Sequence, residues 1–302
     1  MARRRRAAAG LLLAALVGVP VFLALTRPRP LALGALPARA ADLGNGATIY
    51  RIGSCFACHQ PPAGSAGAAA SLPSGGAPFP TPVGTFYPGN LTPDTETGLG
   101  RWSETDFLAA MTRGVSPDGR CYFPAFPYVA YAGMRVEDLR DLWAYLRALP
   151  TVHAPGRDPT LPLLPLARRT VGLWQRLAGE TPPFAPDPAR GAAWNRGAYL
   201  VTAPGHCGEC HTPRNLLMIR DESFALAGGP HPAGDGHVPS LRRLVARGRY
   251  RDAADLALAL QYGETLGYDK LSSGGMARIQ TELAQLPAGD LAAIAEYLVS
   301  LD

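Results

Sequence analysis

The sequence predicts an all-α fold made of two similar halves in tandem, and three observations carry that prediction. One five-residue motif occurs twice, as Cys55-Phe56-Ala57-Cys58-His59 and as Cys207-Gly208-Glu209-Cys210-His211. The segments around the two copies resemble each other. Each half closes on a run with helical periodicity, and no strand-like alternation surrounds either motif. At 302 residues the chain has room for about two domains.

Residues 1–40 read as targeting sequence and tether. Arg3 to Arg6 form a positive cluster, and no charge appears from Ala7 to Thr26. That run is long for a signal-peptide core and suits one membrane-spanning segment. Arginines ahead of the span put the N-terminus in the cytoplasm and the body outside. Ala38-Arg39-Ala40 offers the competing reading, a cleavage site that would release the body. The same four arginines supply most of the formal net charge of +5. The rest of the chain is nearly neutral, which excludes a nucleic-acid-binding face.

The two halves span residues 41–150 and 191–302. Asn45-Gly46-Ala47-Thr48-Ile49-Tyr50, ahead of the first motif, is matched by Asn195-Arg196-Gly197-Ala198-Tyr199-Leu200. Gly100-Arg101-Trp102 is answered by Gly248-Arg249-Tyr250. With one residue inserted, Asp106 to Gly114 then runs alongside Asp255 to Gly263. Ser103 and Asp106 form an N-cap pair that opens the middle helix. The closing helices are Val136 to Leu149, with Leu139, Leu142, Trp143 and Leu146 on one face, and Ala288 to Leu301, with Leu291, Ile294, Ala295 and Leu298. Residues 151–190 are a Pro-rich linker with one helix-length apolar stretch, Leu166 to Leu177. Pro61 to Pro88 reads as a long loop over the first motif.

The repeated motif is C-x-x-C-H, the attachment site of c-type haem. Thiols at i and i+3 on one helical turn point the same way, so each can add to a vinyl group of one porphyrin. The histidine that follows supplies an imidazole nitrogen to iron from the proximal side. Cys55, Cys58, Cys207 and Cys210 are thus the expected haem attachments, with His59 and His211 as iron ligands. A zinc site would need a second cysteine or histidine pair near each motif, and neither half offers one. A thioredoxin-like redox pair would need a βαβ setting that is also missing. Cys121 stands alone and reads as an inert thiol.

Beyond the motifs, the chain resembles the dihaem cytochrome c subunits associated with membrane-bound bacterial dehydrogenases for alcohols, aldehydes or gluconate. The resemblance covers nearly the whole chain. It is carried by Thr85-Phe86-Tyr87 with Asn90-Leu91-Thr92-Pro93-Asp94, Gly98-Leu99-Gly100-Arg101-Trp102-Ser103, Pro124-Ala125-Phe126-Pro127-Tyr128, the Trp194 to Leu200 run, His206 to Asn215, and Gly274-Gly275-Met276. It implies two class-I cytochrome c-like domains with two covalently bound haem c groups. It further implies electron transfer from a membrane-bound or periplasmic dehydrogenase toward a quinone, a cytochrome or a terminal oxidase. The expected location is the bacterial inner membrane with both haem domains periplasmic, or the periplasm itself if the N-terminus is cleaved. The second half lacks a copy of the Asn-Leu-Thr-Pro-Asp loop.

Methionine opposite histidine would close each iron. Met276, preceded by Ser272, Ser273, Gly274 and Gly275, is the expected sixth ligand of the second haem, in a Gly-rich loop ahead of the closing helix. Aligning the halves brings it opposite Phe126 and Pro127, where related subunits often carry methionine and this chain does not. Met134 is assigned to the first haem in its place, with Met111 read as core and His153 as a distant substitute. His206, His231, His237 and Met218 read as plain loop residues. No Ser-His-Asp set, nucleotide loop or HExxH motif is present, so the chain is expected to carry electrons without substrate chemistry of its own. The alternative is a dihaem enzyme, of peroxidase or thiosulfate-oxidising type, that uses an open position on the first iron.

Overall fold

The computed structural model describes residues 2–29, 31, 36–234, 236–263 and 274–301, with the side chains of 2–5, 7–11, 13–15, 68 and 274 outside that description. It is mostly helical. The chain runs α1 (Ala2–Leu25), α2 (Leu43–Ile52), α3 (Cys55–His59), α4 (Glu104–Arg113), α5 (Tyr128–Tyr131), α6 (Val136–Arg147), α7 (Leu164–Ala178), α8 (Ala192–Thr202), α9 (Gly208–His211), α10 (Ala253–Tyr262), α11 (Gly274–Leu283) and α12 (Ala288–Val299). Two small antiparallel hairpins interrupt the helices: β1 (Phe79–Thr81) with β2 (Gly84–Phe86), and β3 (Gly229–Pro230) with β4 (His237–Val238).

In each half the helix ahead of the motif crosses the closing helix, α2 on α6 and α8 on α12, while α4 and α10 pack on the same closing helices. One glycine in each pair permits the crossing. A Cβ on Gly46 would overlap the Asp141 carbonyl, and one on Gly197 would overlap the Ala293 carbonyl. These are the glycines that the two opening segments share, so the sequence repeat there records a backbone approach. The middle helices repeat their caps as well. Ser103 and Asp106 form a complete capping box on α4, the Asp252 side chain accepts from the Asp255 amide on α10, and both helices end on a left-handed glycine, Gly114 and Gly263.

One apolar core runs through both halves. It includes Ile49, Leu108, Leu139 and Leu146 from the first and Tyr199, Leu200, Leu291 and Leu298 from the second. Burying such side chains is worth about 2 kcal/mol each, which favours keeping the halves together. Polar ties reinforce the seam. Tyr199 donates its hydroxyl to Asp138, the Arg135 guanidinium lies 4.4 Å from the Tyr199 ring centre, and Phe184 of the linker donates its amide to the Gly133 carbonyl at 2.9 Å.

The linker helix is α7, slightly longer than the apolar stretch that predicts it. It grips the end of α1: Arg176 donates to the Leu25 carbonyl at 2.6 Å, and Gly172 lies against the Thr26 backbone. The expected membrane span, Ala7 to Thr26, falls on α1, and much of it lies outside the described side chains. Among the described residues no helix is long and apolar enough to cross a membrane, so the spanning segment gains no support here. The C-terminal end of α1 packs against α7.

Candidate haem-binding sites

The two motifs fold alike down to single dihedrals. The residue ahead of each first cysteine, Ser54 or His206, takes the left-handed conformation, with φ of 46° and 40°. That reverses the chain out of α2 or α8 and into the short turn carrying the thiols. The turn closes by Ala57 N–H to the Ser54 carbonyl at 3.0 Å in one half and Glu209 N–H to the His206 carbonyl at 2.8 Å in the other.

Each motif histidine is oriented from behind. His59 Nδ1 lies 2.7 Å from the Gly89 carbonyl oxygen, and His211 Nδ1 lies 2.8 Å from that of Pro239. A carbonyl can only accept, so Nδ1 carries the hydrogen and Nε2 is left with its lone pair. Burial pushes both imidazoles below the ordinary histidine range, although the carbonyl works against it, so both are neutral and able to ligate.

The carbonyls themselves are held by a second repeated device. Gly75 donates its amide to the His59 carbonyl at 2.7 Å, and Gly228 donates to that of His211 at 2.7 Å. Both glycines are left-handed, and a Cβ on either would strike the very backbone that presents the acceptor: Pro88 and Gly89, or Val238 and Pro239. Leu91 N–H to the Pro73 carbonyl and Leu241 N–H to the Leu226 carbonyl clamp the segments together at 2.8 and 2.9 Å. The second half, without an Asn-Leu-Thr-Pro-Asp loop, presents the equivalent acceptor carbonyl through Val238-Pro239-Ser240-Leu241.

No disulfide pairs any of the five cysteines. Burial pushes Cys55 and Cys207 up to about 12 and raises Cys58 and Cys210 as well. Thiols held protonated in this way are unlike the low-pKa thiolates of disulfide-exchange sites. Among the described residues no three His, Cys, Asp or Glu side chains converge as a metal-binding group. Two thiols on one turn beside an imidazole with a free Nε2 therefore fit covalently attached haem better than zinc or a redox disulfide. Glu209, inside the second motif, is half-buried and paired with Arg214 at 2.6 Å and Arg220 at 3.3 Å. The first motif has Ala57 in that place, so the two sites differ in local charge.

The distal candidates are less symmetrical. Met134 is buried in the turn between α5 and α6 and lines a crevice with Cys55, Tyr131 and Met111. Met111, read as core, is indeed buried on α4 but shares that crevice, so two thioethers stand near the first motif. Phe126 is enclosed by the rings of Tyr122, Tyr128 and Tyr131. Met276 is not in a loop: it lies in the first turn of α11 and is 37% exposed. Its neighbours explain the difference, because Ala277 to Leu283 carry helix-forming residues with Ile279 and Leu283 on one face. Residues 264–273, which precede that helix and include Ser272 and Ser273, lie outside the described residues. α11 packs on α10 and also on α2 and α3 of the first half. His153 points at Asp94 and Glu96 from an exposed position and is removed as a substitute ligand. Cys121 is buried, its thiol 3.5 Å from Gln175 Oε1, and is raised by burial, as an inert thiol should be.

The plain-loop expectation fails for His206. Its Nε2 is 3.2 Å from the Gly53 carbonyl oxygen of the other half, and its ring meets Tyr131 edge-on at 5.4 Å. Gly75, Gly89, Gly228 and Pro239 form the backbone cradle behind the two histidines, which the sequence pattern does not reveal. The signal available for them is a glycine 16 or 17 residues past each motif histidine, too sparse to stand out among 34 glycines.

No family model matches the chain. Among curated relatives, it is 38% identical to a dihaem cytochrome c-type protein of Cereibacter sphaeroides, over 98% of this chain and 97% of that one. It is 39% identical to a nicotinate dehydrogenase subunit of Pseudomonas putida, over 87% of this chain but only 22% of the relative. It is 35% identical to the cytochrome c subunit of a quinone-linked alcohol dehydrogenase from Gluconacetobacter polyoxogenes, over 85% of this chain and 55% of the relative. The chain thus spans nearly the whole of the first relative and about half or less of the other two. With two equivalent thiol–imidazole sites in place and a full-length relative of the same kind, the chain belongs to the dihaem c-type cytochromes.

Proposed function

We propose that this protein is an electron-transfer subunit carrying two covalently attached c haems, one on Cys55 and Cys58 with His59, the other on Cys207 and Cys210 with His211. The observation that carries the reading is the repeated cradle, in which a backbone carbonyl holds Nδ1 of each motif histidine and leaves Nε2 free to ligate. When bound, haem supplies one-electron chemistry. The chain supplies the thiols that retain it, the neutral imidazoles that ligate it and the fixed carbonyls that tune those imidazoles. Met134 and Met276 are the proposed sixth ligands, supported for Met134 by its place in the crevice with Cys55 and for Met276 by its sequence setting.

The donor is proposed to be a dehydrogenase, in line with the relatives named as dehydrogenase subunits. Delivery would run to a quinone, a cytochrome or an oxidase of the respiratory chain, with the haem-bearing body in the periplasm and the N-terminal segment at the inner membrane. Intact mass after expression with a haem-maturation system tests the cofactor directly. A mass exceeding the polypeptide by two haems, with a pyridine haemochrome spectrum of c type, is expected. Bare polypeptide mass would overturn the proposal. Co-purification from membranes of the native host identifies the donor.

A further inference from the structure

The two attachment turns meet each other across the seam between the halves. The carbonyl of Gly53, two residues ahead of Cys55, accepts from His206 Nε2 at 3.2 Å, and His206 is bonded directly to Cys207. Tyr131 packs its ring on the His206 imidazole and directs its hydroxyl to the same Gly53 carbonyl at 3.4 Å. The backbones touch as well. A Cβ on Gly53 would lie 3.5 Å from the Pro204 carbonyl oxygen, and one on Gly205 would lie 3.3 Å from the Ile52 side chain. The acceptor is a carbonyl, so His206 donates from Nε2, which fixes its tautomer.

We propose that His206 is the positioning residue that locks the two haem-bearing turns edge to edge, and that electrons pass between the halves across the His206–Gly53 contact. The inference rests on the haem reading above and goes beyond it by naming where the two halves exchange electrons. The step moves one electron and no atoms: oxidation in one half is balanced by reduction in the other, and no proton or external reactant is required. The geometry favours this route because it is short and largely covalent. From Cys55 it follows the main chain through Ser54 to the Gly53 carbonyl, crosses one hydrogen bond, and re-enters the main chain one residue from Cys207. His206 owes its reach to the left-handed backbone at that position, which turns its side chain back over the first motif instead of outward to solvent.

The test compares the haem-loaded full chain with His206→Phe, which keeps a ring against Tyr131 but cannot donate, and His206→Gln, which can donate again. Two readouts that do not involve enzyme turnover are taken: the exciton couplet of the two haems in Soret circular dichroism, and the haem-to-haem exchange rate after flash reduction. His206→Phe should lose most of the exchange rate and weaken the couplet, and His206→Gln should restore both. Unchanged exchange and couplet in His206→Phe would overturn the proposal. Should that variant fail to fold, His206→Ala, which leaves the neighbouring side chains in place but cannot donate, is read in the same way, and an unaltered exchange rate in it would overturn the proposal. Absence of two haems by mass would instead sink the electron-carrier reading itself.

Discussion

Replacing Gly228 by alanine should disturb one haem and spare the other. A Cβ there would sit 2.6 Å from Ser240 N and the Val238 carbonyl oxygen and 2.7 Å from the Pro239 carbonyl carbon. Ordinary contact begins near 3.4 Å, so the Val238–Pro239 backbone must retreat by roughly 0.8 Å. Taken along the hydrogen bond, that retreat stretches the 2.8 Å contact between His211 Nδ1 and Pro239 to about 3.6 Å, beyond bonding range. The left-handed backbone at φ +76° adds about 1 kcal/mol for a residue with a Cβ. The lost hydrogen bond adds about 1 kcal/mol more. The bond also makes the imidazole more electron-donating, which favours the oxidised iron. If it is worth about 1 kcal/mol more to the oxidised than to the reduced state, its loss raises that potential by roughly 40 mV, a tenfold change being about 59 mV for one electron. A spectroelectrochemical titration resolves this, with Gly75→Ala as the mirror experiment on the first haem. Two unshifted potentials in a folded Gly228→Ala chain would refute the role given to the cradle.

Thiol counting should find none in the native haem-loaded protein and one after denaturation, because Cys121 is buried and the other four cysteines are consumed; five reactive thiols would contradict attachment. Asp141 is pushed up by burial, but hydrogen bonds from Arg39, Asn45 and the Asp42 amide outweigh this and hold its carboxyl below the ordinary value. Its contribution is therefore complete above the unfolded value near pH 4 and fades as pH falls through the lower folded value. Melting temperature should drop on acidification below about pH 4, and Asp141→Asn should flatten that limb at the expense of stability at neutral pH. Met134→Ala and Met276→Ala should each open one iron to carbon monoxide, whereas Met111→Ala should open none. Carbon monoxide binding by the unaltered chain would speak instead for an open first haem. Tyr199→Phe removes a partner from buried Asp138 and should cost about 1–3 kcal/mol in thermal or denaturant unfolding.

The features legible in the sequence are those with a fixed local spacing. C-x-x-C-H is legible because its chemistry needs thiols and imidazole on one turn. The α4 cap is legible because Ser103 and Asp106 lie three residues apart. Gly46 and Gly197 are visible as a repeat, though only the helix crossing explains them. The Pro239 carbonyl is invisible for the opposite reason: a backbone acceptor has no side-chain identity, and Pro239 stands 28 residues from the histidine it orients. Met276 misleads because the serines and glycines before it suggest a loop, while the helix is decided by the residues after it. His206 misleads because its partner lies 153 residues earlier in the chain.

The seam between the halves has consequences for both stability and electron flow. A flexible linker alone would let two haem domains tumble independently, and their separation would vary. Here the linker engages both sides: Phe184 is tied to Gly133 and packs on Tyr199, and Tyr199 in turn donates to Asp138 at the start of α6. Asp138 also accepts from Asn45, which stands beside the Gly46 crossing of α2 on α6. The bonds that set the first half's own packing are therefore the same bonds that receive the second half. A carrier built this way would hold its two motif turns in one relation whatever partner docks, so the path between Cys55 and Cys207 would be set by the fold and not by the encounter.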